Sequence, residues 1–155
     1  MAESTGSGKV RLRCREIMTT DVKTVDRATP IHEVAAMMRD ADVGSLPVVE
    51  NGKLAGIVTD RDIVVRALAD GREASSPVGE AMTGDVFSVK PDDFVFEAIR
   101  MMGDKQVRRI PVVNESGELA GIIAMADIAL EVEDEREIAE TLEEISSGSA
   151  FWSKK

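Results

Sequence analysis

Apolar positions recur along this chain in two rhythms. Ile31, Val34, Ala35 and Met38 follow helical spacing just after Pro30, and Val95, Ala98, Ile99 and Met102 repeat it. Leu46–Glu50 and Leu54–Thr59 are instead apolar and partly β-branched runs separated by Asn51-Gly52, which predicts a β-hairpin. Asn-Gly fits the tight type I′ turn because both central residues need positive φ. A short extended piece, Val22–Val25, precedes the first helix, and a second helix is predicted over Asp60–Ala69. The order is β-α-β-β-α.

The same order returns downstream. Shifting the sequence by 64 lays Glu16–Val49 on Glu80–Val113. Met18-Thr19 meets Met82-Thr83, and Pro47-Val48-Val49 meets Pro111-Val112-Val113. With one residue inserted around Asn114–Gly117, Leu54-Ala55-Gly56-Ile57 meets Leu119-Ala120-Gly121-Ile122, giving 21 identities over the 48 positions Glu16–Ile63. The second extended piece is Val86–Val89, and the second copy's last helix starts at Met125. The predicted class is α+β, a tandem repeat whose sheets pack on each other with pseudo-two-fold symmetry, since a unit of this size buries too little surface alone. The predicted segments are a flexible N-terminus (1–13), the first domain (14–70), a linker (71–78), the second domain (79–130) and an acidic amphipathic helix with a flexible tail (131–155). Ile138, Leu142 and Ile145 form the apolar stripe of that last helix.

Composition narrows the functions. The 155 residues are 43% hydrophobic and 31% charged, as in a globular protein. The net charge of −10 argues against general nucleic-acid binding, and eight acids against one base over Glu131–Ile145 make the acidity local. No apolar run is long enough to span a membrane, and no secretory leader is visible, so a cytoplasmic location is expected. A single Cys14 and a single His32 exclude an internal disulfide, a cysteine- or histidine-clustered metal site and most triad chemistry; no catalytic set is found.

Candidate chemistry gathers where the first hairpin runs into its following helix, Gly56-Ile57-Val58-Thr59-Asp60-Arg61-Asp62. Thr59 and Asp62 are spaced as N-cap and N3, so a capping box alone accounts for them. The same geometry also presents helix N–H groups, a hydroxyl and a carboxylate to a phosphorylated nucleoside.

Met18-Thr19, Leu46-Pro47-Val48-Val49, Gly56–Asp62 and the repeat together resemble a tandem pair of CBS domains, covering residues 15–131. The resemblance implies a non-catalytic regulatory module, often a homodimer, that binds an adenosyl ligand (AMP, ADP, ATP or S-adenosylmethionine) between its domains and signals to a regulated protein partner. It implies that Thr59 contacts phosphate and Asp62 the ribose. Val43, Gly44, Ser45 and Leu46 would wall the base, Gly44 and Ser45 being small enough to leave room for a flat ring. Thr29 would contribute ahead of the first helix, and Arg108 and Arg109 would meet the phosphate from the second copy. That copy departs from the pattern at Ala124, which replaces the hydroxyl residue while Asp127 remains, so a degenerate second site is expected. The alternative is a dimeric interaction scaffold with a vestigial site, acting through its acidic C-terminal helix.

Overall fold

The structure, a computed structural model, describes residues 12–131 and residue 143. Apart from Glu143, the expected acidic helix beyond Glu131 and the tail lie outside the described residues, as does all but the end of the N-terminal arm.

The elements are α1 (Cys14–Ile17), α2 (Ile31–Ala41), β1 (Ser45–Glu50), β2 (Lys53–Thr59), α3 (Asp60–Asp62), α4 (Val95–Lys105), β3 (Arg109–Val113), β4 (Leu119–Ala124) and α5 (Met125–Glu131). A π-helical turn, Ile63–Leu68, continues α3. Strands β1 and β2 form one two-stranded sheet, and β3 and β4 another. The Asn51-Gly52 turn has φ of 55° and 80°, as the hairpin reading requires. Ser45 pairs with Thr59 at the open end and Glu50 with Lys53 at the turn, with a register shift at Val48/Val49.

Two sequence expectations need correction. The extended pieces at Val22–Val25 and Val86–Val89 do not become strands. Each contributes a single parallel bridge, Val25 to Val48 and Val89 to Val112, because its neighbours have no partner to continue the ladder. Ala35 is exposed, whereas Ile31, Val34 and Met38 form the buried stripe of α2. In α4 the stripe Val95, Ala98, Ile99 and Met102 is buried as read.

Both long helices stop in the same way. Asp42 and Gln106 take left-handed φ of 58° and 59°, and the following Val43 and Val107 donate back to the carbonyls of Met38 and Met102 at 3.0 Å. These are Schellman-type ends. Each turns the chain straight into the segment that leads to the next strand.

By contacts, the chain divides into two compact units. Among the described residues, one gathers Lys23–Val86 and Ser116–Leu119; the other gathers 12–22, Phe87–Glu115 and 120–131. These do not coincide with the sequence repeats. The Met-Thr pair that opens each repeat is built into the unit of the other. Thr83 exchanges two backbone hydrogen bonds with Ile57, at 2.8 and 2.9 Å, and Thr19 does the same with Ile122. Val78, Ala81 and Met82 accordingly belong to the core that holds Val34, Leu46 and Val58. Cys14 belongs to the core that holds Ile99, Ile110 and Ile128, and Met18 packs against that core.

Glycine makes the exchange possible. A Cβ on Gly56 would lie 2.5 Å from the carbonyl oxygen of Thr83, and one on Gly121 would lie 2.7 Å from that of Thr19. The expected linker is likewise bonded along its length within one unit. Ile31 and His32 donate to the carbonyls of Ser76 and Ala74, and Val78 donates to that of Thr29.

Two predictions follow from these contacts. Gly56→Ala and Gly121→Ala are each expected to cost about 1–3 kcal/mol, because backbone must move to admit the methyl group, and urea unfolding reads this directly. Cys14 is fully buried, and its thiol is pushed up to about 12, chiefly by burial with Asp93 and Glu97 adding to it. The thiol is therefore protonated in the fold at neutral pH, and its contribution to stability is lost as pH rises from the ordinary thiol value of 9.0 toward about 12. At pH 8 a chromogenic disulfide reagent is expected to label Cys14 at the rate of unfolding, not at the rate of an exposed thiol.

Candidate ligand site

Thr59 ends β2 in extended conformation, φ −116° and ψ 163°, and caps α3. Its Oγ1 accepts from the Asp62 amide at 3.0 Å, and its own amide donates to Asp62 Oδ2 at 3.0 Å. The capping box is complete. Two groups are left over by this arrangement. The Thr59 hydroxyl keeps its hydrogen to donate, and Asp62 Oδ1 keeps its lone pairs to accept.

The segment ahead of β1 closes on this turn. The Asp60 amide donates to the Gly44 carbonyl at 2.9 Å, and Ser45 is the register partner of Thr59. A Cβ on Gly44 would sit 3.2 Å from Asp60 Oδ2, so the glycine leaves room for that carboxylate. Val43, Gly44 and Ser45 are half-buried, whereas Leu46 is 2% exposed and belongs to the core. The structure thus brings Gly44, Ser45, Thr59 and Asp62 to one end of the hairpin. Asp60 and Arg66 join them, and the sequence reading had named neither as a site residue. Their signal was position: Asp60 follows the cap residue, and Arg66 stands one helical turn after Asp62. Arg66 Nε lies 3.8 Å from Asp62 Oδ1, and Nη1 lies 3.3 Å from the Met82 carbonyl oxygen.

Thr29 is not part of this cluster. Its hydroxyl accepts from the Asp26 amide at 3.2 Å in the turn before α2. It lines an open cavity of about 420 Å³ with Asp26, Glu33, Met37 and Asn51. That cavity is at the turn end of the hairpin, whereas Thr59 is at the open end, roughly 17–20 Å away along β1.

Arg108, Arg109 and Asp127 belong to the other unit. Arg108 accepts from the Met125 amide through its carbonyl at 2.8 Å, the counterpart of the Gly44–Asp60 bond. Both arginine side chains are exposed. At the second strand-to-helix turn the Ala124 amide donates to Asp127 Oδ2 at 3.2 Å, but Ala124 has no hydroxyl to answer the Asp127 amide. Half of the capping box survives. Among the described residues, no group of three or more His, Cys, Asp or Glu side chains could hold a metal ion, and no helix is long and apolar enough to cross a membrane.

Residues 14–68 and 78–134 each match the family model of the CBS domain. The chain belongs to the CBS domain family and carries two tandem copies. It is 40% identical over 116 residues to the CBS domain-containing protein YhcV of Bacillus subtilis (strain 168), an overlap of 75% of this chain and 82% of that protein. Hypoxic Response Protein I, solved with two coordinated zinc ions, matches with a TM-score of 0.72 and 34% identity, over 78% of this chain and 99% of that one. The CBS domain pair of protein MJ0100, solved in complex with 5′-methylthioadenosine and S-adenosyl-L-methionine, matches with a TM-score of 0.66 and 28% identity, over 76% and 93% of the two chains.

The asymmetry between the two turns is open to measurement. Thr59→Ala is expected to cost about 1 kcal/mol through loss of the cap, and Ala124→Thr to recover up to about the same amount by completing the second one. Denaturant midpoints of the two variants check both signs.

Proposed function

We propose that this CBS pair is a non-catalytic regulatory module that binds an adenine nucleotide or adenosyl ligand at the Thr59/Asp62 turn. The observation that carries the reading is the complete, reciprocal Thr59–Asp62 cap with one donor and one acceptor to spare, set beside small Gly44 and Ser45. Asp62 Oδ1 accepts from a ribose hydroxyl, and the Thr59 hydroxyl donates to a phosphate oxygen. Gly44 and Ser45 leave space for the base, and half-buried Val43 supplies apolar surface beside it, while Leu46 is buried in the core. Arg108 and Arg109 of the second repeat are the cationic residues of this reading; their planar forks suit phosphate or carboxylate. AMP, ADP, ATP and S-adenosylmethionine all fit this chemistry, and the complex of the MJ0100 domain pair supports the adenosyl class. The half-cap at Ala124/Asp127 is the degenerate site. Thr29 has its place in this reading only as the turn before α2.

Ligand occupancy signals by favouring one domain arrangement over another, which a regulated cytoplasmic protein then reads. The module works as a homodimer. Val64, Val65 and Leu68 on the π-helical turn are 53%, 48% and 69% exposed, so the first repeat offers an apolar helix face for a second copy to cover. The same exposed face favours the second reading, an interaction scaffold that ignores nucleotide.

Titration calorimetry with AMP, ADP, ATP and S-adenosylmethionine separates the two readings. Saturable binding by the wild type, lost in Asp62→Ala, is the expected result. No heat from any of the four overturns the sensor reading and leaves the scaffold.

A further inference from the structure

We propose that Arg66 is the positioning residue of the Thr59/Asp62 site and couples that site to the exchanged Met82-Thr83 segment. The inference rests on the ligand reading above for its binding half only. The coupling half concerns contacts that the protein makes without ligand.

The geometry is a bridge. Asp62 is largely buried, its side chain 14% exposed, and its Oδ2 is committed to the Thr59 amide. The orientation of the other oxygen depends on what faces it. Arg66 Nε stands 3.8 Å from Oδ1, one helical turn along, where opposite charges attract. The same guanidinium donates from Nη1 to the Met82 carbonyl at 3.3 Å. Because the guanidinium is planar and rigid, a change at one end is felt at the other. Met82 is 9% exposed in the core, and the next residue, Thr83, is held to Ile57 by two backbone bonds. Ile57 lies two residues before Thr59 on the same strand. The acid, the arginine, the exchanged segment and the strand therefore close a loop of contacts around the turn.

The other repeat shows what the bridge replaces. The residue four positions after Asp127 is Glu131, and its side chain is exposed. An acid there cannot hold a carboxylate or donate to a carbonyl. Arg66 thus separates the two turns as sharply as Thr59 does. A ligand hydroxyl that donates to Asp62 Oδ1 competes with the Arg66 guanidinium for that oxygen and shifts the guanidinium's share toward the Met82 carbonyl. The exchanged segment thereby senses occupancy.

A double-mutant cycle on ligand-free protein tests the bridge. Amide hydrogen exchange at Thr83, whose N–H bonds the Ile57 carbonyl, is measured in wild type, Asp62→Asn, Arg66→Ala and the double variant. Asp62→Asn is expected to speed Thr83 exchange when Arg66 is present and to add nothing once Arg66 is alanine. Additive effects overturn the coupling, because a purely structural arginine gives additivity. Calorimetry with AMP, ADP, ATP and S-adenosylmethionine tests positioning. Arg66→Ala is expected to weaken the ligand that binds wild type roughly fivefold or more, with Arg66→Lys intermediate. Wild-type affinity in Arg66→Ala overturns the positioning role. If wild type binds none of AMP, ADP, ATP and S-adenosylmethionine, the ligand reading fails and the positioning role fails with it, while the cycle still decides the bridge.

Discussion

The close approach of backbone to backbone at Gly56–Thr83 and Gly121–Thr19 is the constraint on which the rest depends. At each place a strand residue without a side chain lets a Met-Thr segment from the other repeat lie against it, and the next residue locks the contact with a pair of hydrogen bonds. Each hairpin alone has two strands, too few to be stable in water. The exchanged segment adds a bridge along the second strand, and the extended piece before the helix adds a parallel one along the first. The strand that carries Thr59 is thus held on both edges. A capping turn at the end of a well-held strand keeps its donors and acceptors fixed, which is what a binding site requires.

The two repeats then diverge by a few substitutions on one scaffold. Both keep the Schellman-type helix end, the carbonyl-to-amide tie between the segment before the hairpin and the helix after it, and the acid at N3. They differ at the cap residue, Thr59 against Ala124, and before the hairpin, Gly44-Ser45 against Arg108-Arg109. They differ again one turn into the helix, Arg66 against Glu131. One turn carries the hydroxyl and the arginine beside its acid. The other keeps the acid, Asp127, and the same backbone bonds without them. The backbone tolerates this because the hydrogen bonds that shape it are made by main-chain atoms.

Much of this was legible in the sequence, for reasons that can be named. The Asn51-Gly52 turn was readable because positive φ at both positions leaves few residue choices, and the buried stripe of α4 was readable from its period. The Thr59–Asp62 cap was readable because its spacing is local. What escaped the sequence was non-local. No periodicity says that Met82 packs under the first hairpin, that residues 74–78 bond along the edge of α2, or that Val25 forms only one bridge. Thr29 seemed to belong with Thr59 by family pattern, yet the hairpin puts them at opposite ends. Arg66 and Asp60 were not singled out because what marks them, the Met82 carbonyl and the Gly44 segment, lies far off in the sequence.

The reciprocal loan of segments also bears on how the chain is made. The contact between Thr19 and Ile122 closes a loop of roughly a hundred residues, so it forms late, and contacts that distant slow folding. During synthesis the N-terminal repeat emerges first, but Val78, Ala81 and Met82 must clear the ribosome before its core is full. Residues Cys14 to Thr19 wait for partners, Pro91, Asp93 and Ile122, that are translated much later. Cutting the chain at the apparent boundary near residue 70 would strip one core of three buried side chains and orphan the leader of the other. The minimum that completes both cores is the pair, and neither repeat can be lifted out as a spare part.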